Sequence, residues 1–154
     1  MSAGGSRYII GLTGNIATGK STIAAMLRAL GAEVLDADKL AHEVMRAGTE
    51  VHQRIVARFG SQILAPDGQI DRARLGPIVF ADPIALADLD SLVHPAVVQE
   101  TLCRIAQSCS QVLVVEAVKL LEANMARFCH AVWVVRASRA LQVERLMFTR
   151  HLER

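Results

Sequence analysis

One segment near the start of the sequence combines glycines, a lysine and a hydroxyl residue at the spacing of a phosphate-binding loop. It reads Gly14-Asn15-Ile16-Ala17-Thr18-Gly19-Lys20-Ser21, and Thr22 follows it. The two glycines permit backbone conformations that turn successive N–H groups toward an anion. The Lys20 ammonium can reach the β- and γ-phosphates of a nucleotide, and the Ser21 hydroxyl is suited to Mg²⁺. We therefore expect residues 14–22 to bind a nucleotide phosphate, with helix packing as the competing role for Thr22.

The sequence around this loop predicts the strand and the helix that the motif needs. Tyr8–Thr13 is a short apolar run that stops at the glycine turn, as a buried strand does. The apolar period after Gly19 is that of a helix ending at Gly31, and one face of this helix carries Ile23, Met26, Leu27 and Leu30. The motif is specific in this context of strand, loop and helix.

Further apolar runs predict the rest of a sheet. Glu33–Asp36 reads as a second strand, with a helix beginning near Lys39. Val112–Glu116 and Ala131–Val135 are continuous apolar runs, which is typical of parallel strands covered on both faces by helices. Ser138 can cap a last helix that carries Leu141, Val143, Leu146 and Met147. These patterns predict an α/β fold whose core comprises residues 8–38 and 111–140.

The intervening segment, residues 39–110, is too long for an ordinary connection between a helix and a strand. Asp82-Pro83 is a cap followed by proline at the first helical position, and the apolar stripe after it breaks at His94-Pro95. Ala65–Gly68 predicts a turn. We expect a helical insertion packed over the carboxyl edge of the sheet, where α/β proteins bind ligands.

Two carboxylates at strand ends are candidates for chemistry. Asp38 follows the second strand and, if the sheet is parallel, lies beside the phosphate loop, where its carboxylate could accept the proton of an acceptor hydroxyl. Capping of the next helix is the competing role for Asp38. Glu116 ends the third strand, where an acid can address magnesium through water, although a structural role is as well supported.

Cationic side chains on the last helix form another candidate group. Arg145 and Arg150 could swing onto transferring phosphates if this helix belongs to a mobile lid. Their spacing alone fits solvated helix arginines better. His42, His52 and His130 are isolated in the sequence, and we assign them no function.

The composition excludes several classes of protein. Hydrophobic residues make up 52% of the 154 residues, enough for one well-buried domain. The net charge is only +2 and the basic residues are scattered, so no nucleic-acid-binding surface is indicated. The three cysteines lack the spacing of a disulfide framework or a zinc site. Cysteines without such spacing favour the reducing cytoplasm. Because no apolar run is long enough to span a bilayer, we expect a protein without a membrane partner. We expect either a monomer or a weak homo-oligomer.

Four segments, taken in order, resemble the dephospho-CoA kinase family. They are the phosphate loop with its flanks, Val34–His42 with its Asp-Ala-Asp sequence, Leu92–Pro95 and Gln142–Met147. The Asp-Ala-Asp sequence and the His-Pro pair discriminate better than the loop, which many kinases share. The resemblance implies a P-loop NTPase-type three-layer fold with a parallel sheet. It also implies a helical insertion domain at residues 39–110 that binds the CoA acceptor, and a lid that starts within residues 141–154.

The resemblance also implies a reaction and roles for particular residues. The γ-phosphate of ATP would pass to the 3′-hydroxyl of dephospho-CoA, giving CoA and ADP with Mg²⁺ present. By position, Asp38 would be the general base, Lys20 and Ser21 the phosphate and magnesium groups, and Arg145 a lid arginine on the phosphates. His94 would lie in the acceptor-binding helical region.

The sequence departs from the family pattern at two places. The family often has Pro-Leu-Leu-x-Glu after the third strand, where this chain has Lys119–Glu122, so Glu122 carries over only in part. Family members continue into a further strand, a loop at the adenine and a closing helix, whereas the sequence stops at Arg154, and we expect the C-terminal strand and helix to be missing. Two alternatives stay open: another small-molecule P-loop kinase, and a catalytically impaired nucleotide-binding remnant.

Overall fold

A computed structural model defines the backbone of residues 7–152 and the side chains of residues 7–149. Within this range the strands are β1 (Tyr8–Thr13), β2 (Glu33–Asp36), β3 (Val112–Glu116) and β4 (Ala131–Val134). The helices are α1 (Lys20–Ala29), α2 (Ala37–Val44), α3 (Glu50–Phe59), α4 (Arg72–Ala81), α5 (Pro83–Gln107) and α6 (Arg139–Leu152). Short 3₁₀ turns occupy Ser61–Ile63 and Met125–Phe128.

The described strands form one parallel sheet in the order β2-β3-β1-β4. The predicted α/β fold with a parallel sheet is therefore confirmed. Leu12 and Asp36 both pair with Glu116, so the strands on either side of β3 end level with it. Strand β3 therefore lies between β1, which precedes the phosphate loop, and β2, which precedes Asp38. Apolar runs identify strands, but they do not encode the order of strands in a sheet.

Strands β1 and β3 form the centre of the core, packed against one face of α1. Ile10, Leu12, Ala24 and Val114 form a buried cluster, and Ile23 and Leu27 lie against it. The helical stripe predicted for α1 is only partly correct, because Met26 is 60% exposed and Leu30 84% exposed. The buried residues of α1 are Lys20 and Ala24, whereas Met26 points away from this face and Leu30 follows the last helical residue.

Strand β4 differs from the prediction that it is covered on both faces. Val132, Trp133 and Val134 are 38%, 44% and 58% exposed. Among the described residues β4 pairs only with β1, so it is an edge strand. Its continuous apolar run therefore resembles that of the buried strand β3 without sharing its environment.

The chain divides into two compact units, which we describe separately. The sheet unit comprises the chain up to Asp38 and again from Arg104, and the helical unit comprises Lys39–Cys103. In the helical unit, the side chains of Thr49 and Asp71 accept backbone N–H bonds that cap α3 and α4. Its buried apolar residues include Ile55, Phe59, Ile63, Leu75, Val79, Ala85, Val93 and Val97.

Helix α5 begins as predicted but does not break where predicted. The Asp82 carboxylate accepts the N–H of Ile84 at 2.9 Å, and the helix starts at Pro83. It then continues through Pro95, since Val93 and Val97 are buried on either side of this proline while Pro95 itself is exposed. Packing of the apolar face outweighs the single backbone bond that proline removes.

Three smaller findings concern a turn, the start of α2 and the length of the helices. Ala65–Gly68 forms the predicted turn, in which the Gly68 N–H donates to the Ala65 carbonyl at 2.9 Å. Helix α2 begins at Ala37, slightly before the predicted start near Lys39. None of the helices in the described part of the chain has the length and apolar character needed to cross a bilayer.

Candidate active site

The phosphate loop connects β1 to α1, and its glycines are required by the local geometry. Gly14 has φ +149°, and a Cβ there would lie 2.3 Å from the Val135 carbonyl oxygen, so no other residue fits without moving the backbone at Val135. Gly19 has φ +103° immediately before α1. Ala17 has φ +59°, a left-handed conformation that is unfavourable for a residue with a Cβ.

Lys20 is the first residue of α1, and its side chain folds back onto the phosphate loop. Its side chain is 9% exposed, and its ammonium donates to the carbonyls of Gly14 at 2.7 Å and Asn15 at 3.1 Å. The Thr18 hydroxyl donates to the same Asn15 carbonyl at 2.8 Å. These bonds hold a positive charge at the phosphate loop.

Ser21 and Glu116 bring two oxygen ligands together at the carboxyl edge of the sheet. The Ser21 hydroxyl donates to the Glu116 carboxylate at 3.5 Å. Burial raises the pKa of the Glu116 carboxyl above its ordinary value, and so does the negative charge of Asp36, while Lys20 opposes the shift. A nearby cation would favour the ionised form, and hydroxyl and carboxylate oxygens suit a hard divalent cation.

Asp38 lies in the first turn of α2 and comes to the same edge. Its Oδ2 accepts the backbone N–H of Val118 at 3.4 Å. Since the helix begins at Ala37, Asp38 is inside the helix, and the competing N-cap role is wrong. The Asp38 charge also contributes to the raised pKa of Glu116, which brings the two carboxylates into one electrostatic environment.

Helix α6 contributes the second cation near the loop. The Arg145 Nη1 donates to the Ala17 carbonyl at 3.1 Å. Between the loop and α6 lies a cavity of about 540 Å³, which is lined by Ala17, Thr18, Gly19, Lys20, Ser21, Thr22, Leu141, Glu144, Arg145, Phe148 and Thr149. Thr22 is exposed in this cavity, so the helix-packing role is wrong. The side chain of Arg150 lies outside the described residues.

Two further predicted residues, His94 and Glu122, have other neighbours. His94 belongs to the helical unit, where its Nε2 is 3.4 Å from Asp90 Oδ1. Glu122 is exposed and lines a second cavity of about 480 Å³, together with Asn15, Arg136 and Arg139. Sequence reasoning missed the contribution of the Val118 backbone to Asp38, because a backbone donor leaves no signal in residue type.

The comparisons with known proteins decide which P-loop family this arrangement represents. A family model described as dephospho-CoA kinase matches residues 8–154. The chain belongs to the dephospho-CoA kinase family. Among curated dephospho-CoA kinases, that of Geobacter sulfurreducens is 47% identical over 142 residues, covering 90% of this chain and 72% of its own length. That of Thermobifida fusca is 48% identical over 142 residues, covering 92% of this chain and 71% of its own length.

Solved structures share the fold of this chain. The crystal structure of TT1252 from Thermus thermophilus is 33% identical with a TM-score of 0.77, covering 92% of this chain and 72% of its own. Dephospho-CoA kinase from Campylobacter jejuni is 19% identical with a TM-score of 0.56, covering 94% and 96%, and shows the shared fold. The family's reaction is the ATP-dependent phosphorylation of dephospho-CoA in CoA biosynthesis, so its members are kinases that act on a small molecule.

Proposed function

We propose that this chain transfers the γ-phosphate of ATP to the 3′-hydroxyl of dephospho-CoA, with Asp38 as general base. The observation that carries the proposal is the convergence of Lys20, Glu116 and Asp38 at one edge of the sheet, beside a preformed phosphate loop. A binding remnant would need the loop but not the carboxylates. The family match favours this acceptor over that of another small-molecule P-loop kinase.

The phosphate loop supplies binding and electrostatic stabilisation. Its N–H groups and the start of α1 favour the phosphate oxygens, and the Lys20 ammonium can move from the carbonyls of Gly14 and Asn15 to the β- and γ-phosphates. Arg145 reaches the loop from α6 and can contact the same phosphates. Both cations stabilise the charge that spreads over the transferred phosphoryl group.

Asp38 acts on the acceptor side of the transfer. The 3′-hydroxyl oxygen forms a bond to the γ-phosphorus, the bond to the β-γ bridging oxygen breaks, and the hydroxyl proton passes to the Asp38 carboxylate. ADP leaves with the bridging oxygen. The Val118 N–H orients the carboxylate for this step.

Magnesium fits the oxygen donors at this site. The Ser21 hydroxyl and the Glu116 carboxylate would hold it, Glu116 directly or through water, and both are oxygen groups of the kind that Mg²⁺ prefers. The described residues contain no group of three or more His, Cys, Asp and Glu that could hold a metal, so most ligands would come from the nucleotide and water. When bound, magnesium neutralises phosphate charge.

The remaining expectations concern location and partners. We propose a cytoplasmic enzyme that acts as a monomer or a weak homo-oligomer, with His94 of the helical unit among the acceptor contacts. Neither a nucleic acid nor a membrane has a role in the reaction. A single kinase domain, with a helical acceptor-binding insertion at residues 39–110 and a lid that starts within residues 141–154, is proposed on the same family resemblance.

The deciding experiment measures ADP formation by the purified chain with ATP and Mg²⁺, with and without dephospho-CoA, and detects CoA by mass. We expect dephospho-CoA to stimulate ADP release, with one CoA formed for each ADP. ATP binding without any turnover would support the impaired remnant instead. Stimulation by other acceptors but not by dephospho-CoA would support another small-molecule kinase.

A pair of variants tests the general base. Asp38→Asn removes the proton acceptor and should lower kcat by about 10² or more, with little change in KM. Asp36→Asn makes the same chemical change at the end of β2 and should retain most of the activity. Equal losses in the two variants would indicate a general effect of charge near Glu116 and would remove Asp38 from the mechanism.

A further inference from the structure

The segment that follows β3 is held at three points between β1 and Asp38. The Ala117 N–H donates to the Leu12 carbonyl at 3.0 Å. The Thr13 hydroxyl donates to the Val118 carbonyl at 3.2 Å. On its other side, the Val118 N–H donates to Asp38 Oδ2 at 3.4 Å. Val118 therefore connects a β1 side chain to the carboxylate proposed as general base.

Thr13 provides a rigid anchor for this connection. It is 6% exposed, and its backbone is fixed by pairing of β1 with β4, in which the Thr13 carbonyl accepts the Val135 N–H at 2.7 Å. Val118, by contrast, is 45% exposed and lies outside the regular strand. Without the Thr13 hydroxyl, the Val118 carbonyl would lose one of its restraints.

We infer that Thr13 is a positioning residue for phosphoryl transfer, acting through Val118 on the carboxylate of Asp38. The inference rests on the proposed role of Asp38 as general base. Proton transfer requires a base held at hydrogen-bonding distance from the acceptor hydroxyl, and small displacements of a catalytic group are costly. The Val118 N–H donates to Asp38 Oδ2 at 3.4 Å, which is long for a hydrogen bond, and catalytic hydrogen bonds tighten in reactive complexes. By accepting the Thr13 hydroxyl at its carbonyl, Val118 is restrained, and its N–H stays in place when the bond to Asp38 shortens.

The experiment is a double-mutant cycle with a conservative rescue. Thr13→Val keeps the branched shape that suits a strand and removes the hydroxyl, whereas Thr13→Ser keeps the hydroxyl. We expect Thr13→Val to lower kcat by about threefold to tenfold, with both KM values changed by less than about twofold. Thr13→Ser should retain most of the wild-type kcat. In the Asp38→Asn background, Thr13→Val should change the residual rate by less than about twofold, because its target is already lost.

A readout without turnover monitors the restraint itself. In the protein without substrates, hydrogen exchange at the Val118 amide should be faster in Thr13→Val than in wild type, and it should be restored in Thr13→Ser. Thermal unfolding of every variant confirms that it is folded. Unchanged exchange at Val118 would show that Thr13 does not hold this segment.

The outcomes separate this inference from the proposed function. If Asp38→Asn retains the wild-type kcat, the general-base role is wrong and positioning by Thr13 falls with it. If Asp38→Asn is slow while Thr13→Val has the wild-type kcat, only the inference about Thr13 is overturned. An equal loss from Thr13→Val in both backgrounds, or an equal loss from Thr13→Ser, would also overturn it, since the hydroxyl would then act through packing or another group.

Discussion

The phosphate loop and helix α6 each present a cation to the same cavity, but they hold it in different ways. Lys20 is 9% exposed, and its ammonium donates to two loop carbonyls. Arg145 is exposed, and its Nη1 donates to the single carbonyl of Ala17. Lys20 is thus enclosed by the loop. Arg145 reaches the loop from α6, a helix whose apolar residues Met147 and Phe148 are 58% and 66% exposed.

The different environments of Lys20 and Arg145 predict different effects on nucleotide binding and on turnover. A cation enclosed by the loop can stabilise nucleotide phosphates in the ground state and in the transition state alike. A cation with one replaceable contact can leave that contact when charge develops on the transferred group. We therefore expect loss of the loop cation to reduce both nucleotide binding and turnover, and loss of the helix cation to reduce mainly turnover.

Substitution of the enclosed cation has the largest expected effect. Lys20→Ala removes the charge at the β- and γ-phosphates and removes the ammonium that donates to the carbonyls of Gly14 and Asn15. We expect kcat/KM to fall by about 10³ or more, with weaker ATP binding by calorimetry. Lys39→Ala is the charge-matched control in α2 and should bind ATP normally. Unchanged ATP affinity in Lys20→Ala would contradict the phosphate-loop assignment.

Substitution of the exposed cation should have a smaller and more selective effect. Arg145→Ala should lower kcat by about 10-fold to 10²-fold, with ATP affinity changed by less than about threefold. Arg28→Ala, on the last turn of α1, is the control for loss of an exposed arginine. If ATP affinity and kcat fell together in Arg145→Ala, both cations would serve ground-state binding, and the contrast between loop and helix would be lost.

Substitution of Glu116 tests how much this partly buried carboxyl group lowers the stability of the folded protein in the absence of magnesium. Because burial and Asp36 raise its pKa, the folded protein holds the Glu116 proton more tightly than the unfolded chain, whose pKa is the ordinary 4.5. Stability contributed by this group therefore falls as pH rises from the ordinary value through the raised one. Without magnesium, Glu116→Gln should unfold at a higher temperature than wild type at pH 7.5, and the difference should shrink as the pH is lowered toward 4.5.

Addition of ATP and magnesium provides the matched comparison for Glu116. A bound cation favours the ionised carboxylate, so wild type should gain more thermal stability from ATP with Mg²⁺ than Glu116→Gln does. An equal gain in the two proteins would show that Glu116 does not address the metal. A Glu116→Gln protein less stable than wild type in the absence of magnesium would show that the Ser21 contact outweighs burial.

The parts of the fold that local patterns determine were predictable from the sequence. The strand before the loop, the caps at Asp82 and Ser138, and the turn at Ala65–Gly68 are set by nearby residues, and the structure contains them. Strand order and exposure depend on distant segments. For that reason the local patterns left the position of β3 between β1 and β2 open, and the apolar strand β4 was expected to be buried.

The candidate site shows the same division. Residue type and spacing alone indicated that Lys20 and Ser21 belong to a phosphate loop. The contact of Arg145 with the Ala17 carbonyl and the link from Thr13 to Asp38 use backbone atoms, which every residue possesses. Such contacts can be recognised only once the chain is folded.

Ala17 provides the smallest expected effect and tests whether the loop is strained. Its φ of +59° is unfavourable for alanine, while its carbonyl is the one that accepts Arg145. Ala17→Gly relieves a cost of about 1–2 kcal/mol and loses about 0.5–1 kcal/mol through the freer unfolded chain, so a net gain of about 1 kcal/mol or less is expected by thermal unfolding. Ala25→Gly, within α1, should instead lose about 1 kcal/mol. If both variants lost stability equally, the left-handed conformation at Ala17 would carry no measurable strain, and the loop would adopt its shape without a conformational penalty at this residue.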